Sequence, residues 1–484
     1  MNFELHAAIA AHRFGLGEAD LAQVGSDPQA WLLQQIGPAD RQRGDRLADA
    51  AEGLRRHQLL QRRPVAPASA EAMTGKDAGN MSGSDSRPVV QQPGDPLRDL
   101  VQADQRARLV TQAITTRPFA ERLALFWSNH FTVSMAKATA RGLVGAFERD
   151  AIRPHIAGRF EDLLIASSHH AAMLRYLDNH LSAGPHSRFV RRLAERGDGR
   201  EGGPRISGLN ENLAREILEL HTLGVAGGGG AYGPWGGYTQ SDVTAFAAVL
   251  TGWRVPSGPR ETIAGEATRF EAAWHEPGDK RVLGRSHAEG PQALDAVLRD
   301  LAQRESTARF IATKLSRHFV ADDPPLELVD RLARRFQDSC GDLPQVYREL
   351  ILAPESWQPV PPKLKTPEEF VISTARLLGL GERIAARAPD AGLGALGQRL
   401  QGAPSPAGWP DRAEDWLGPE AVWKRVEWAG QVSDRLGRQV DARALARRSL
   451  GPLLSAGSAR QIERAADGPQ ALALLLLAPE FQRR

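Results

Sequence analysis

The sequence predicts a mainly α protein: a large multi-helix globular body, a small β-hairpin element near 268–285 and a flexible insertion near 64–96. Apolar residues recur at three- and four-residue spacing along most of the chain, the period of a helix that buries one face. Helix starts are clearly marked. Thr239 with Asp242 reads as a capping box, as does Thr366-Pro367-Glu368-Glu369, where proline takes the first helical position. With 484 residues, 42% of them hydrophobic, the chain can bury a substantial core.

Helical spacing runs over about 97–116, 118–131, 142–152, 158–168 and 170–178. It resumes over 209–222 and 241–251, then over 292–303, 306–320, 325–338 and 343–353. The last stretches are 367–379, 419–436 and 458–478. Between about 254 and 290 the pattern changes. There Phe270–Trp274 and Lys280–Leu283 flank Glu276-Pro277-Gly278-Asp279, a turn sequence suited to a hairpin. RELILAPESW at 348–357 and ALLLLAPEFQ at 473–482 share a Leu-rich turn stopped by proline, so two helices are expected to end by one device.

Three segments read as loose. Residues 64–96 are poor in aliphatics and rich in Gly, Ser, Asp and Pro, as a disordered insertion is. Residues 183–206 form a basic loop whose arginines are either solvated or steer an acidic ligand. Residues 227–237 set Tyr232 and Trp235 among glycines. That loop has no Gly-Lys-Ser/Thr ending, which excludes a phosphate loop; its functional reading is a lid whose aromatics bind substrate.

The densest chemistry lies in Asn210–His221. At 100° per residue Leu213, Ile217 and Leu220 form an apolar stripe, with Asn212, Glu216 and Glu219 gathered on one flank. His221 points about 140–160° away from both carboxylates, so a metal histidine must come from elsewhere. Glu211, Arg215 and Glu219 also make an i, i+4, i+8 ion ladder, and Gly224 reads as the left-handed cap behind His221. His130, on the apolar side of its helix, is either a satisfied core histidine or a cleft residue beside Asn129. Asp178 closes the helix before the basic loop. His155 serves a turn, His170 caps or packs, and His275 sits by the hairpin turn as an exposed ligand candidate.

The expected working set is therefore Glu216, Asp178, His130 and Asn212 as catalytic groups. Asn129, Arg215, Tyr232, Trp235 and His275 are the substrate-binding candidates. Histidine plus carboxylate is also the donor set of zinc and other divalent ions, and His130, Glu216 and Glu219 are the candidate ligands. No His-Glu-x-x-His spacing supports such a site.

Several phrases carry a resemblance: AAHRFGLG, RLALFWSNHFTVS, RDAIRPHIAGRFEDLLIASSHHAAMLRYLDN, NENLARE with GYTQSDVTAFAAVLTGW, FIATKLSRHFVADDP, KLKTPEEFV and PSPAGWPD. In this order, from His12 to beyond Trp416, the chain resembles the bacterial "domain of unknown function, eighteen hundred" family over most of its length. The resemblance implies a single family-wide helical domain over 1–484 and no assigned activity. It also implies relatives that often carry export signals and are often encoded beside a sulfatase-like family, hence a sulfatase-like partner. This chain departs from the pattern in having no export signal and in a lengthened link, GVAGGGGAYGPWGGYTQ.

Composition narrows the classes. Sixty-one basic and 58 acidic residues leave +3, which supports no nucleic-acid or membrane-surface argument. The single cysteine, Cys340, excludes an internal disulfide and a Cys-based zinc cluster. The best apolar run, 471–478, is too short to span a bilayer. With no signal peptide read at the start, the expected location is cytoplasmic. Two classes of function remain: an enzyme with a carboxylate/histidine interhelical cleft, performing hydrolysis with or without a metal, and a non-catalytic helical scaffold or assembly partner.

Overall fold

A computed structural model describes residues 3–61, 94–195, 208–224, 237–256, 258, 261, 263, 267–358 and 363–484. The expected insertion lies almost wholly outside the described residues, as do Tyr232 and Trp235 and the second half of the basic loop. The described first half of that loop carries a helix, Arg188–Glu195.

The architecture is helical with two small antiparallel ribbons. Helices form at Arg98–Ile114, Pro118–His130, Phe160–His169 and Ala171–Tyr176. Further ones follow at Gln240–Leu250, Gln292–Ala302, Glu305–Phe319, Leu326–Asp338, Leu343–Leu352 and Pro367–Leu377. Both expected capping boxes are present, Thr239 with Asp242 and Thr366 with Glu369. His170 caps too, its Nδ1 accepting from the Ala172 amide at 3.1 Å. The two Ala-Pro-Glu stops also hold: the Leu343–Leu352 and Gly468–Leu477 helices each end just before the proline.

Three readings differ. Short helices at Phe3–Ile9, Pro28–Leu33 and Ala50–Gln61 had no expected counterpart, because each is too short or too polar for periodicity to register. The expected 458–478 helix is divided into Ala456–Glu463 and Gly468–Leu477, since Asp467 caps a new start on the Gln470 amide at 2.8 Å. The hairpin lies in the expected region with other pairing. Lys280–Val282 pairs with Arg285–His287 across Leu283-Gly284, both at positive φ (49° and 82°), the two-residue turn whose twist suits a hairpin. Phe270 instead pairs with Trp253.

Buried apolar side chains fall into two clusters. One joins the N-terminal helices to those ending at Trp357; it contains Trp127, whose Nε1 donates to the Tyr347 hydroxyl at 2.6 Å while that hydroxyl donates to the Ile156 carbonyl at 2.7 Å. The other joins Leu109–Ala113 to the C-terminal helices through Phe370, Leu472 and Phe481. The seam between them is where the chemistry collects.

Candidate functional site

The seam holds a cavity of about 350 Å³ lined by several segments of the chain. The Pro118–His130 helix ends there with Ser128, Asn129 and His130. The Glu305–Phe319 helix presents Lys314, Arg317 and His318, spaced i, i+3, i+4 and so on one face. The first turn of Pro367–Leu377 adds Glu368 and Glu369, and the 398–415 loop adds Gln401, Trp409 and Asp411.

The loop is clamped to the helix end by backbone bonds. The Asn129 side-chain amide donates to the Trp409 carbonyl at 2.9 Å, and its oxygen accepts from the Trp409 amide at 2.8 Å. Ser134 donates to the Ala403 carbonyl, and the Met135 amide to that of Gln401. The contact is so close that Gly408, at φ 86°, has no room for a Cβ: the Asn129 carbonyl would be 2.5 Å away.

On this frame His318 and Asp411 form an oriented pair, with Nδ1 3.2 Å from the carboxylate. A carboxylate there accepts the Nδ1 proton, which leaves Nε2 as a lone pair. That Nε2 has no hydrogen-bond partner among the described residues. Burial pushes the imidazole below its usual value, only partly offset by Asp411, so it is neutral at pH 7. Burial alone would raise the Asp411 carboxyl, yet His318, Lys363 and Arg484 hold it below the usual range. Lys363 bridges Asp322, at 2.5 Å, to the Asp411 carbonyl.

Around this pair the buried charges are matched. Glu369 lies between Arg122 and Arg484, the latter with a fully buried side chain at 2.9 Å. Glu148 lies between Arg108 and Arg153, and Arg153 reaches on to Glu121 at 2.5 Å. Lys365 is fully buried with no hydrogen-bond partner among the described residues, its Nζ 4.2 Å from the Phe481 ring centroid, and Lys314 is a second exception. It makes no hydrogen bond or ion pair among the described residues, its Nζ lies 5.5 Å from the Phe310 ring centroid, and burial pushes its amine down to about 8.

The structure scatters the residues expected from sequence. Asn129 and His130 line the cavity; Glu216, Asp178 and Asn212 do not. His130 is fully buried, with Nε2 3.1 Å from the His221 carbonyl and Nδ1 unpartnered. Asp178 pairs with Lys137 at 2.5 Å. The Asn212 amide is capped by Asn210, and Arg215 reaches Glu211 at 3.2 Å and Glu219 at 3.6 Å, as the ion ladder predicts. Glu219 also accepts from the Tyr238 hydroxyl at 2.5 Å. Glu216 is half-buried without an ion pair among the described residues, and burial with the neighbouring Glu219 raises its pKa. His275, read as exposed, is 3% exposed: its Nδ1 meets the Thr251 carbonyl at 2.7 Å and its Nε2 the Lys280 amine at 2.9 Å. Among the described residues no group of three or more His, Cys, Asp and Glu is arranged to hold a metal, the His130, Glu216 and Glu219 set included.

Sequence reasoning missed His318, Asp411, Lys314 and Gln401. The first three stand inside FIATKLSRHFVADDP and PSPAGWPD, phrases that carry the family resemblance, but nothing in their local spacing ties one to another. That resemblance is confirmed: a family model described as "Protein of unknown function (DUF1800)" matches residues 9–483, and the chain belongs to this family. No curated protein and no solved structure matches it. No helix among the described residues is long and apolar enough to cross a membrane.

Proposed function

We propose that the protein is an enzyme, with His318 as its acid/base in the seam cavity and Asp411 as the group that orients it. The observation that carries this is a carboxylate-held, neutral imidazole in the wall of the cavity, its buried Nε2 without a hydrogen-bond partner among the described residues. A neutral imidazole so held takes a proton from water or a substrate hydroxyl and returns it to a leaving group, which is the chemistry of hydrolysis. Ser128 belongs to the same wall, and its buried hydroxyl has no hydrogen-bond partner among the described residues, so it is the candidate for a protein nucleophile. This keeps a carboxylate/histidine interhelical cleft while moving it to residues other than Glu216 and Asp178.

The test is turnover of carboxylate esters, sulfate esters and glycosides with chromogenic leaving groups, by the wild type and His318→Gln at matched Tm. The expected outcome is turnover of one class, reduced about 10²-fold or more in the variant. The rate should fall as pH drops through a value below the ordinary imidazole range of about 6.5, since the base must be neutral. Undiminished turnover in His318→Gln overturns the assignment.

The second reading, a helical scaffold or assembly partner, including one for a sulfatase-like protein, is supported by the matched buried ion pairs of Glu121, Glu148 and Glu369. Such networks fix how helices pack. It is favoured if no substrate class is turned over while His318→Gln lowers Tm.

A further inference from the structure

The buried carboxylates of the cavity wall each have a cation. Glu148 and Glu368 have Arg108, Glu369 has Arg122 and Arg484, and Asp411 has Lys363 and Arg484. Two cations in the same wall have no carboxylate among the described residues. Lys314 has no polar partner among the described residues, and Arg317, one turn on, donates its Nε only to the Asp322 carbonyl at 3.1 Å. The remaining charged groups of the wall are Arg412, paired with Asp323 at 2.8 Å, and Asp415, which is exposed to solvent.

Lys314 and Arg317 are each only partly exposed, and a partly desolvated cation without a carboxylate gains from an incoming anion. Other polar atoms of the wall are also unanswered: the Gln401 amide oxygen and nitrogen, the Ser128 hydroxyl and Nδ1 of His130, a residue 1% exposed. Native structures rarely leave buried polar groups unpaired, so several around one space indicate a missing polar partner. Gln401 is moreover held at φ 54°, a left-handed conformation that a non-glycine residue adopts at a cost and that gathers at ligand sites. Much of the rest of the wall is apolar, including Phe126, Phe147 and Trp409.

We infer that the cavity takes a small amphipathic acid, its anionic oxygen group bound between Lys314 and Arg317 and its apolar body set against Phe126 and Trp409. The inference rests on the reading that this cavity is the working site, and adds the substrate class. The volume of about 350 Å³ falls within the usual span of small-molecule pockets. Arginine offers a carboxylate or phosphate two parallel N–H donors, and lysine adds a point charge beside His318.

Calorimetric titration with benzoate, phenyl phosphate and neutral benzamide tests it, on the wild type, Lys314→Met, Arg317→Gln and His318→Gln. The expected result is stoichiometric binding of benzoate or phenyl phosphate and not benzamide, weakened about tenfold or more in each cation variant at unchanged Tm. Which anion binds separates a carboxylate ligand from a phosphorylated one. Equal binding of benzamide, no binding of either anion at millimolar concentration, or binding untouched in both cation variants overturns the inference. His318→Gln separates the two claims: if it keeps both anion binding and turnover, the acid/base assignment fails while the anion site stands.

Discussion

Gly408 matters more to the site than its lack of a side chain suggests. Gly408→Ala must place a Cβ 2.5 Å from the Asn129 carbonyl at φ 86°, so the loop that carries Asp411 has to move. The expected loss is about 2 kcal/mol or more, seen as a lower Tm, whereas Gly25→Ala, equally left-handed but with open space around it, loses about 1 kcal/mol. Glu216 behaves in the opposite sense from a paired carboxylate. Its raised pKa means the folded state holds its proton more tightly than the unfolded one, so ionisation opposes folding as pH rises above the unfolded value of about 4.3. Glu216→Gln is therefore expected to raise Tm slightly at pH 7; a clear fall would show that the charge has a stabilising partner. Residue roles were legible in the sequence where they are local, as with the Arg215 ladder and the His170 cap. They were not legible where partners lie far apart in the chain, as for His318 with Asp411 or Asn129 with Trp409.

Helices whose starts are written in side-chain chemistry were found with nearly their expected bounds, because a capping box is a short-range bond pattern that tertiary packing has little reason to overrule. The two boxes nevertheless differ in consequence. Thr239→Ala removes a cap at the surface and should lower stability by about 1 kcal/mol. Thr366→Ala should cost more, because the N3 partner it orients, Glu369, is also the carboxylate between Arg122 and Arg484; equal losses in a urea titration would show that the ion cluster orients Glu369 unaided. The polar segment Asn210–His221 was misjudged for a geometric reason. It is α-helical only over Asn212–Glu216 and then widens into a π-helix over Ile217–Thr222, where the 100° step no longer applies. His221 is thereby swung into the core against His130 and Phe131, with ring centroids 6.1 and 5.0 Å apart.

Across the whole molecule, the mainly α class and the small ribbon region were readable from periodicity and turn residues, but the division into two packed clusters was not, since it depends on which helices meet. The ion pairs at the seam tie the clusters together. Glu369→Gln strands Arg122 and Arg484 and should cost about 3–5 kcal/mol, with differential scanning calorimetry resolving two transitions where the wild type gives one. Acid should act on the fold through its buried neutral histidines as well. Burial lowers His12 and His221 to about 3, so below pH about 6.5 the unfolded chain takes up protons that the folded one refuses. Stability is then lost as pH falls from that point toward about 3, by about 1.4 kcal/mol per pH unit for each such histidine. His221→Leu should remove one proton from this dependence, and an unchanged slope of stability against pH would place the titration elsewhere.

The Arg484 side chain, fully buried between Glu369 and Asp411, also has a temporal consequence. During synthesis Arg122 emerges first, Glu369 much later, and Arg484, the cation that completes their cluster, later still. The N-terminal helices can pack as they are made, but the seam cannot close until translation has passed residue 484. The cavity wall is thus completed only after Arg484 has been made, and a nascent chain stopped short of that residue would display packed N-terminal helices with an open seam.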